Sequence, residues 1–343
     1  LTNNMKEANF YEIFDKDKKI VKCNLCPQYC YIQEGMEGTC AVRKNIDGKL
    51  YSLVYGKMKG AQIDPIEKKP LFHFYPESDI FSFCTVGCNM KCLFCQNFTT
   101  SQVSKGVEGI ISGENVSPKE IVEIAKKHGC KSIAMTYNEP TIFFEYAYDT
   151  CVEAKKEGLK TVFVSNGYIT KKAIDKIAPV LDAINIDLKG FTNKYYQKIC
   201  GAQLQPVLDA IKYYYEKGVF MEITTLIIPG ENDSDDELKQ IAEFIASISK
   251  DIPWHISRFH PDYKMLNKNL TPINTLSKAY DIGGKAKLKY IYVGNVQGNK
   301  FENTICPKCN ETLIKRQGYH IFDINIINNK CKFCNTKING IWH

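Results

Sequence analysis

No apolar run in this chain approaches the roughly 20 residues that a helical membrane span requires, so no membrane partner is expected. Residues 1–10 hold no apolar signal core, which points to the cytoplasm rather than to export. No Gly-x-Gly-x-x-Gly follows a strand-like run, so a nicotinamide-binding doubly wound sheet lacks its main feature. Low-complexity tracts and obvious repeats are also missing. The formal charge of +7 is mild, and its lysines are scattered along the chain. That balance suits solubility, an acidic partner or an anionic substrate, and makes a nucleic-acid partner unlikely. With 343 residues, 44% hydrophobic and 24% charged, the chain can build one large α/β domain with extensions or two ordinary domains.

What the chain has in excess is cysteine, fifteen in all. They fall in short-spaced groups within a long chain, a pattern of metal ligation rather than of a disulfide framework. The central group is Cys88-Asn89-Met90-Lys91-Cys92-Leu93-Phe94-Cys95, three thiols on one short loop. A [4Fe–4S] cluster normally takes four thiolates, so three local ones leave an iron open for a substrate or cofactor. Spacing alone also admits three ligands of a zinc knuckle. The N-terminal group, Cys23, Cys26, Cys30 and Cys40, can close a second zinc site or an auxiliary iron–sulfur site, with Gly35 and Gly38 serving the turns. The C-terminal group is two C-x2-C pairs, Cys306 with Cys309 and Cys331 with Cys334, separated by 21 residues. That is close to the spacing of a four-cysteine zinc site.

Between these groups the pattern alternates strand and helix. Strands are expected near 80–84, 132–136, 160–164, 183–188, 219–228, 254–259 and 290–293. Helices are expected at 117–128, opened by the capping box Ser117 to Glu120, at 141–157, at 193–217 with interruptions near Gly201 and Pro206, at 234–249 behind a second capping box, and at 276–288. Residues 64–74 carry two prolines and four charges, so an ordered loop or lid is expected there. Helical connections of this length imply parallel pairing with right-handed crossovers. The fold class is α/β, a full or partial (β/α) barrel at residues 80–300, with cysteine-rich extensions at 1–79 and 301–343. Chemistry in such barrels collects at the C-terminal strand ends. There lie the cluster loop, Tyr137-Asn138-Glu139-Pro140, Ser165-Asn166-Gly167 and Asp187-Leu188-Lys189.

The C-x3-C-x2-C loop, with Phe94 before its last cysteine, resembles the radical S-adenosylmethionine (SAM) superfamily. The nearest resemblance within it is to the radical SAM component of the AmmeMemoRadiSam system, related to pyruvate formate-lyase activating enzymes. It spans nearly the whole chain and rests jointly on several stretches. These are Cys23-Asn24-Leu25-Cys26-Pro27-Gln28-Tyr29-Cys30, Asp64-Pro65-Ile66-Glu67-Lys68-Lys69-Pro70-Leu71, the cluster loop with Gln96-Asn97, Tyr137-Asn138-Glu139-Pro140, Arg258-Phe259-His260-Pro261-Asp262-Tyr263-Lys264 and Glu302-Asn303-Thr304. Cys84 departs from it, because a small residue is usual there.

The resemblance implies that Cys88, Cys92 and Cys95 hold a [4Fe–4S] cluster whose open iron is chelated by SAM, and that reductive cleavage yields a 5′-deoxyadenosyl radical. It places Glu139 near the SAM amino group, Tyr137 and Asn138 at the cofactor on the same loop, and Ser165 and Asn166 near its carboxylate or ribose. Asp187, Lys189 and His260 are placed at the cofactor as well. A reductant such as flavodoxin or ferredoxin and AmmeMemo-type protein companions follow from the same likeness. The expected reaction is hydrogen abstraction from a small molecule. Rival readings are activation of a glycyl-radical protein, RNA modification, and a non-enzymatic iron–sulfur or zinc scaffold.

Overall fold

The computed structural model describes residues 5–106, 109–296, 298 and 300–342. Its centre is one eight-stranded sheet. In chain order the strands are β1 (Gly60–Pro65), β2 (Asp79–Cys84), β3 (Ser132–Met135), β4 (Lys160–Ser165), β5 (Ala183–Asp187), β6 (Phe220–Ile227), β7 (Trp254–Arg258) and β8 (Ile291–Gly294). Spatial order follows chain order, with β1 and β8 at the two edges. Strands β2 to β8 pair in parallel, and β1 runs antiparallel to β2. The helices α1 (Pro118–Lys127), α2 (Phe144–Lys156), α3 (Lys171–Ile177), α4 (Leu204–Glu216), α5 (Asp235–Ile248) and α6 (Ile273–Lys285) lie in the crossovers.

β1 and β8 do not pair, so the barrel is partial. Alternation along each strand divides the side chains between two faces. Ile133, Met135, Phe163, Ile184 and Ile186 join the large core with the helices, while Ala134, Val162 and Ala183 pack with Leu71 and Phe74 in a separate core. Leu71 and Phe74 thereby fill the barrel interior at its N-terminal end. Higher up, the inward positions turn polar, with Asn185, Asp187, Thr224 and Ser257 lining a cavity. This change along one strand face separates a packed floor from a wet site.

Ser117 caps α1 in a full capping box, as expected. At α5 only half of the expected box forms. Ser234 accepts from the Glu237 N–H, but the Glu237 carboxylate accepts from Phe191 N–H at 2.6 Å instead. Pro206 does not interrupt α4. It lies in the first turn, where its missing N–H would have had no intrahelical partner, and the break falls only at Gly201 (φ +68°). Residues 64–74 are also more regular than expected. Asp64 and Pro65 end the edge strand β1, where a proline is tolerated, and Ile66–Lys68 forms a 3-10 turn. Among the described residues no helix is long and apolar enough to cross a membrane.

The C-terminal segment packs on the open edge. Leu313, Ile314 and Ile321 share a core with Phe72, Tyr290 and Tyr292. Arg316 donates to the Phe72 carbonyl at 2.9 Å, and the His73 and Ile341 backbones bond at 2.7 Å.

Candidate active site

Gly87 precedes the three-cysteine loop with φ +97°, and a Cβ there would meet Val42 Cγ1 at 2.6 Å. Only glycine lets the chain leave β2 at that angle and that close to its neighbour. The loop is then tied down by backbone. Lys91 and Leu93 N–H donate to the Cys200 and Ile199 carbonyls at 2.8 and 3.0 Å, and Lys264 N–H donates to the Leu93 carbonyl at 2.9 Å. Cys88, Cys92 and Cys95 all line one cavity of about 430 Å³ at the C-terminal strand ends. Burial pushes the Cys88 thiol up to about 12. A thiol so placed keeps its proton unless a metal replaces it. The three sulfurs are not gathered within 4.8 Å of one another, as ligands of a single ion would be.

Tyr137, Asn138, Ser165, Asn166, Asp187 and Lys189 line the same cavity. Asn138 donates to the Gly87 carbonyl at 2.9 Å, while its buried Oδ1 has no partner. Such an orphaned acceptor suits an ammonium group of a bound ligand. Asn166 Nδ2 donates to Asn89 Oδ1 at 2.9 Å and lies 3.7 Å from Cys88 Sγ, joining the β4 loop to the cluster loop. Lys189 bonds Asp187 at 2.7 Å. Burial opposes its charge, but Asp187 and the Cys92 and Cys200 sulfurs hold the ammonium well above its ordinary pKa. The cavity thus offers three sulfurs, the lysines Lys68, Lys69 and Lys189, the Asp187 carboxylate and several neutral polar groups. Those are the groups that an iron–sulfur cluster and a zwitterionic sulfonium nucleoside call for.

Glu139 is absent from the cavity lining and fully buried beneath it. Its carboxylate accepts from Thr141 N–H (3.0 Å), Thr141 Oγ1 (2.7 Å), Ser165 Oγ (2.8 Å) and Asn166 N–H (2.8 Å). Burial still raises its pKa above the ordinary value. Glu139 therefore holds the Ser165–Asn166 turn rather than facing a ligand. His260 also lies outside the lining; it is exposed and sits 3.3 Å from Gln96 Nε2.

Two features were not read from the sequence. Cys200 lies in hydrogen-bond contact with Cys92 and is not among the residues lining the cavity. Its only sequence signal is a cysteine just before the helix-breaking Gly201. The second feature is an ion-pair cluster in the 64–74 segment. Asp64 bonds Lys68 (2.8 Å), Lys69 (2.6 Å) and Tyr137 Oη (2.7 Å). Burial opposes ionisation of Asp64, but these three donors hold it down to about 2.

The C-terminal cysteines converge. Cys306 and Cys334 Sγ lie 3.6 Å apart, Cys309 and Cys331 Sγ 3.7 Å, and all four within 4.8 Å of one another. Four sulfurs at 2.3 Å from a zinc ion would be about 3.8 Å apart.

Residues 82–245 match the radical SAM superfamily. An uncharacterized protein of Methanocaldococcus jannaschii is 45% identical over 340 residues, which cover 97% of this chain and 99% of its own. Among solved structures, a radical SAM methyltransferase from Sphaerobacter thermophilus has the same fold, with a TM-score of 0.52 at 14% identity over 86% of this chain and 78% of that one. The chain belongs to the radical SAM superfamily. Within it, the relatives include glycyl-radical enzyme activases: the pyruvate formate-lyase 1-activating enzyme of Escherichia coli is 29% identical over 162 residues, 46% of this chain and 65% of that enzyme.

Proposed function

We propose that this protein is a radical SAM enzyme acting on a small molecule in a reducing compartment, as the radical SAM component of the AmmeMemoRadiSam system. Cys88, Cys92 and Cys95 would hold the [4Fe–4S] cluster. The bound cluster supplies the electron that cleaves SAM to a 5′-deoxyadenosyl radical. Asn138 Oδ1 is free to accept from the SAM amino group, and Lys189 stands ready for its carboxylate. Ser165 and Asn166 flank the nucleoside, held by Glu139. Lys68, Lys69 and Tyr319 wall the cavity from the side of the two extensions and exclude water. The four C-terminal cysteines would hold zinc, and flavodoxin or ferredoxin would supply the electron.

One observation carries the small-molecule reading. The SAM-sized cavity shares Lys68, Pro70, Thr224, Ser257, Asn295 and Tyr319 with a second pocket of about 390 Å³. That second space, walled by His255, Tyr292 and Glu302, has the size of a small-ligand site. The E. coli relative favours a second reading, activation of a glycyl-radical protein. The test is anaerobic reconstitution with SAM and dithionite, followed by product analysis in protein-free cell extract. Release of 5′-deoxyadenosine and a new small product would support the first reading. A stable protein-centred radical formed only with a partner protein would support the second. No 5′-deoxyadenosine under either condition would overturn both.

A further inference from the structure

The N-terminal cysteines form a site outside the cavity described above. Cys23, Cys26, Cys30 and Cys40 line a cavity of about 10 Å³ together with Arg43 and Asn89. Each sulfur accepts a backbone N–H: Leu25 to Cys23, Gln28 to Cys26, Thr39 to Cys30 at 3.4 Å, and Val42 to Cys40. Hydrogen bonds of this kind stabilise sulfur carrying negative charge. Gly38 lets the chain return, since a Cβ there would already be 3.2 Å from Ile32 Cδ1 and 3.5 Å from Cys30 Sγ.

Two observations separate this site from the C-terminal one. Sulfurs about 2.3 Å from a single zinc ion leave no room for a water-sized sphere between them, whereas this cavity has room for about one water. Among the described residues, only the C-terminal four gather within 4.8 Å. The second observation is Arg43, 1% exposed, whose Nη atoms bond the Glu145 carboxylate and the Asn9 carbonyl. Arg43 lines the cavity, and its buried Nε has no partner. A buried donor so placed calls for an acceptor, and anionic sulfur supplies one.

We propose that Cys23, Cys26, Cys30 and Cys40 hold a second, fully thiolate-ligated iron–sulfur cluster that relays one electron to the centre on Cys88, Cys92 and Cys95. The two sites adjoin. Gly87 packs so close to Cys40 that a Cβ would lie 3.0 Å from its carbonyl oxygen, and Gln28 bonds the Asn89 carbonyl at 2.9 Å. Lys105 lies within electrostatic reach of both Cys88 and Cys40. Cys23 and Cys40 are buried, while Cys26 and Cys30 are partly exposed toward solvent. A reduced flavin or iron–sulfur protein passes one electron to this outer centre. Its onward transfer to the inner centre leaves the outer one oxidised again. The metal assignment stands independently of the proposed function; the relay rests on it.

The test is metal and sulfide analysis with Mössbauer spectroscopy on anaerobically reconstituted protein. Wild-type protein is expected to carry about eight irons if both clusters are cubes, or about six if the outer one is [2Fe–2S]. The C88A/C92A/C95A variant should keep the outer cluster, with a reduced-state EPR signal that SAM does not change. Wild-type protein with only the inner cluster's iron, or with zinc in the N-terminal group, overturns the assignment whether or not the variant folds. For the relay, C26A/C30A should slow 5′-deoxyadenosine formation about tenfold more with reduced flavodoxin than with dithionite. Equal effects with both reductants overturn it. If the outer cluster is present but SAM is never cleaved, the functional reading fails and the metal assignment survives.

Discussion

Glu139→Gln is the sharpest probe of how the site is held. Three donors converge on Glu139 Oε1 and one, the Asn166 N–H, on Oε2 at 2.8 Å. A glutamine that keeps its oxygen toward the first three must turn its amide NH₂ toward the Asn166 N–H. One hydrogen bond to a charged acceptor then becomes a donor facing a donor, which costs about 2–3 kcal/mol. Unfolding entropy is about 2.1 cal/mol/K per residue, so over 343 residues each kcal/mol moves the melting midpoint by about 1.4 °C. The expected shift is about 3–4 °C downward by calorimetry under anaerobic conditions. The displaced Asn166 would also loosen its 2.9 Å bond to Asn89 beside Cys88. SAM affinity, read by titration calorimetry, should fall about tenfold, equivalent to about 1.4 kcal/mol. A midpoint within a degree of wild type together with unchanged SAM affinity would refute the claim that Glu139 positions this turn.

Four further outcomes follow from the geometry. Cys200→Ser should leave the inner cluster's iron intact, whereas Cys92→Ser should lose it; iron loss in Cys200→Ser would make Cys200 a ligand. Asp64 titrates at about 2 when folded against an ordinary 3.8, so its pairing stabilises the fold above 3.8 and is lost as pH falls through 2. Asp64→Asn should therefore be less stable at neutral pH and lose less than wild type across that acid window, checked by urea unfolding at each pH. Glu145→Gln leaves the buried Arg43 guanidinium without its charged partner, 3.0 Å away, and should cost about 3–5 kcal/mol in thermal or chemical unfolding. Zinc chelation should release about one zinc per chain and expose residues 301–342 to proteolysis while β2 to β7 stay protected from hydrogen exchange.

The strand and helix pattern was legible because apolar runs bounded by caps and glycines report local physics. Ser117 and Glu120 formed their box, and Gly129 and Gly158 took positive φ after α1 and α2. Misreadings arose where a distant partner competed. Phe191 drew Glu237 away from its cap, and pairing with β2 made Asp64 and Pro65 part of a strand. The candidate site was legible as loops at strand ends. What one side chain faces was less so, because Glu139 and Asn138 are neighbours in sequence yet only Asn138 lines the cavity. Contact between Cys92 and Cys200 depends on how the turn at Gly201 meets the cluster loop, which no local pattern encodes.

The C-terminal segment bears on the site through the open edge of the sheet. A sheet whose edge strands do not pair leaves β8 with unpaired backbone, and the aromatic residues in and just before it uncovered. Here Tyr290 and Tyr292 are covered by Leu313, Ile314 and Ile321. A buried chain then ties segment to barrel. Thr304 meets Tyr292 Oη at 2.9 Å, Tyr292 meets His73 Nε2 at 2.6 Å, and His73 Nδ1 meets the Asn339 carbonyl at 2.6 Å. The carbonyl can only accept, so His73 carries its proton on Nδ1 and receives the Tyr292 hydroxyl at Nε2. Burial lowers His73 to about 4, which keeps the ring neutral. From this docked segment Tyr319 reaches both the cluster cavity and the adjoining pocket. The four gathered cysteines thus belong to the docked segment that supplies Tyr319 to the cavity wall.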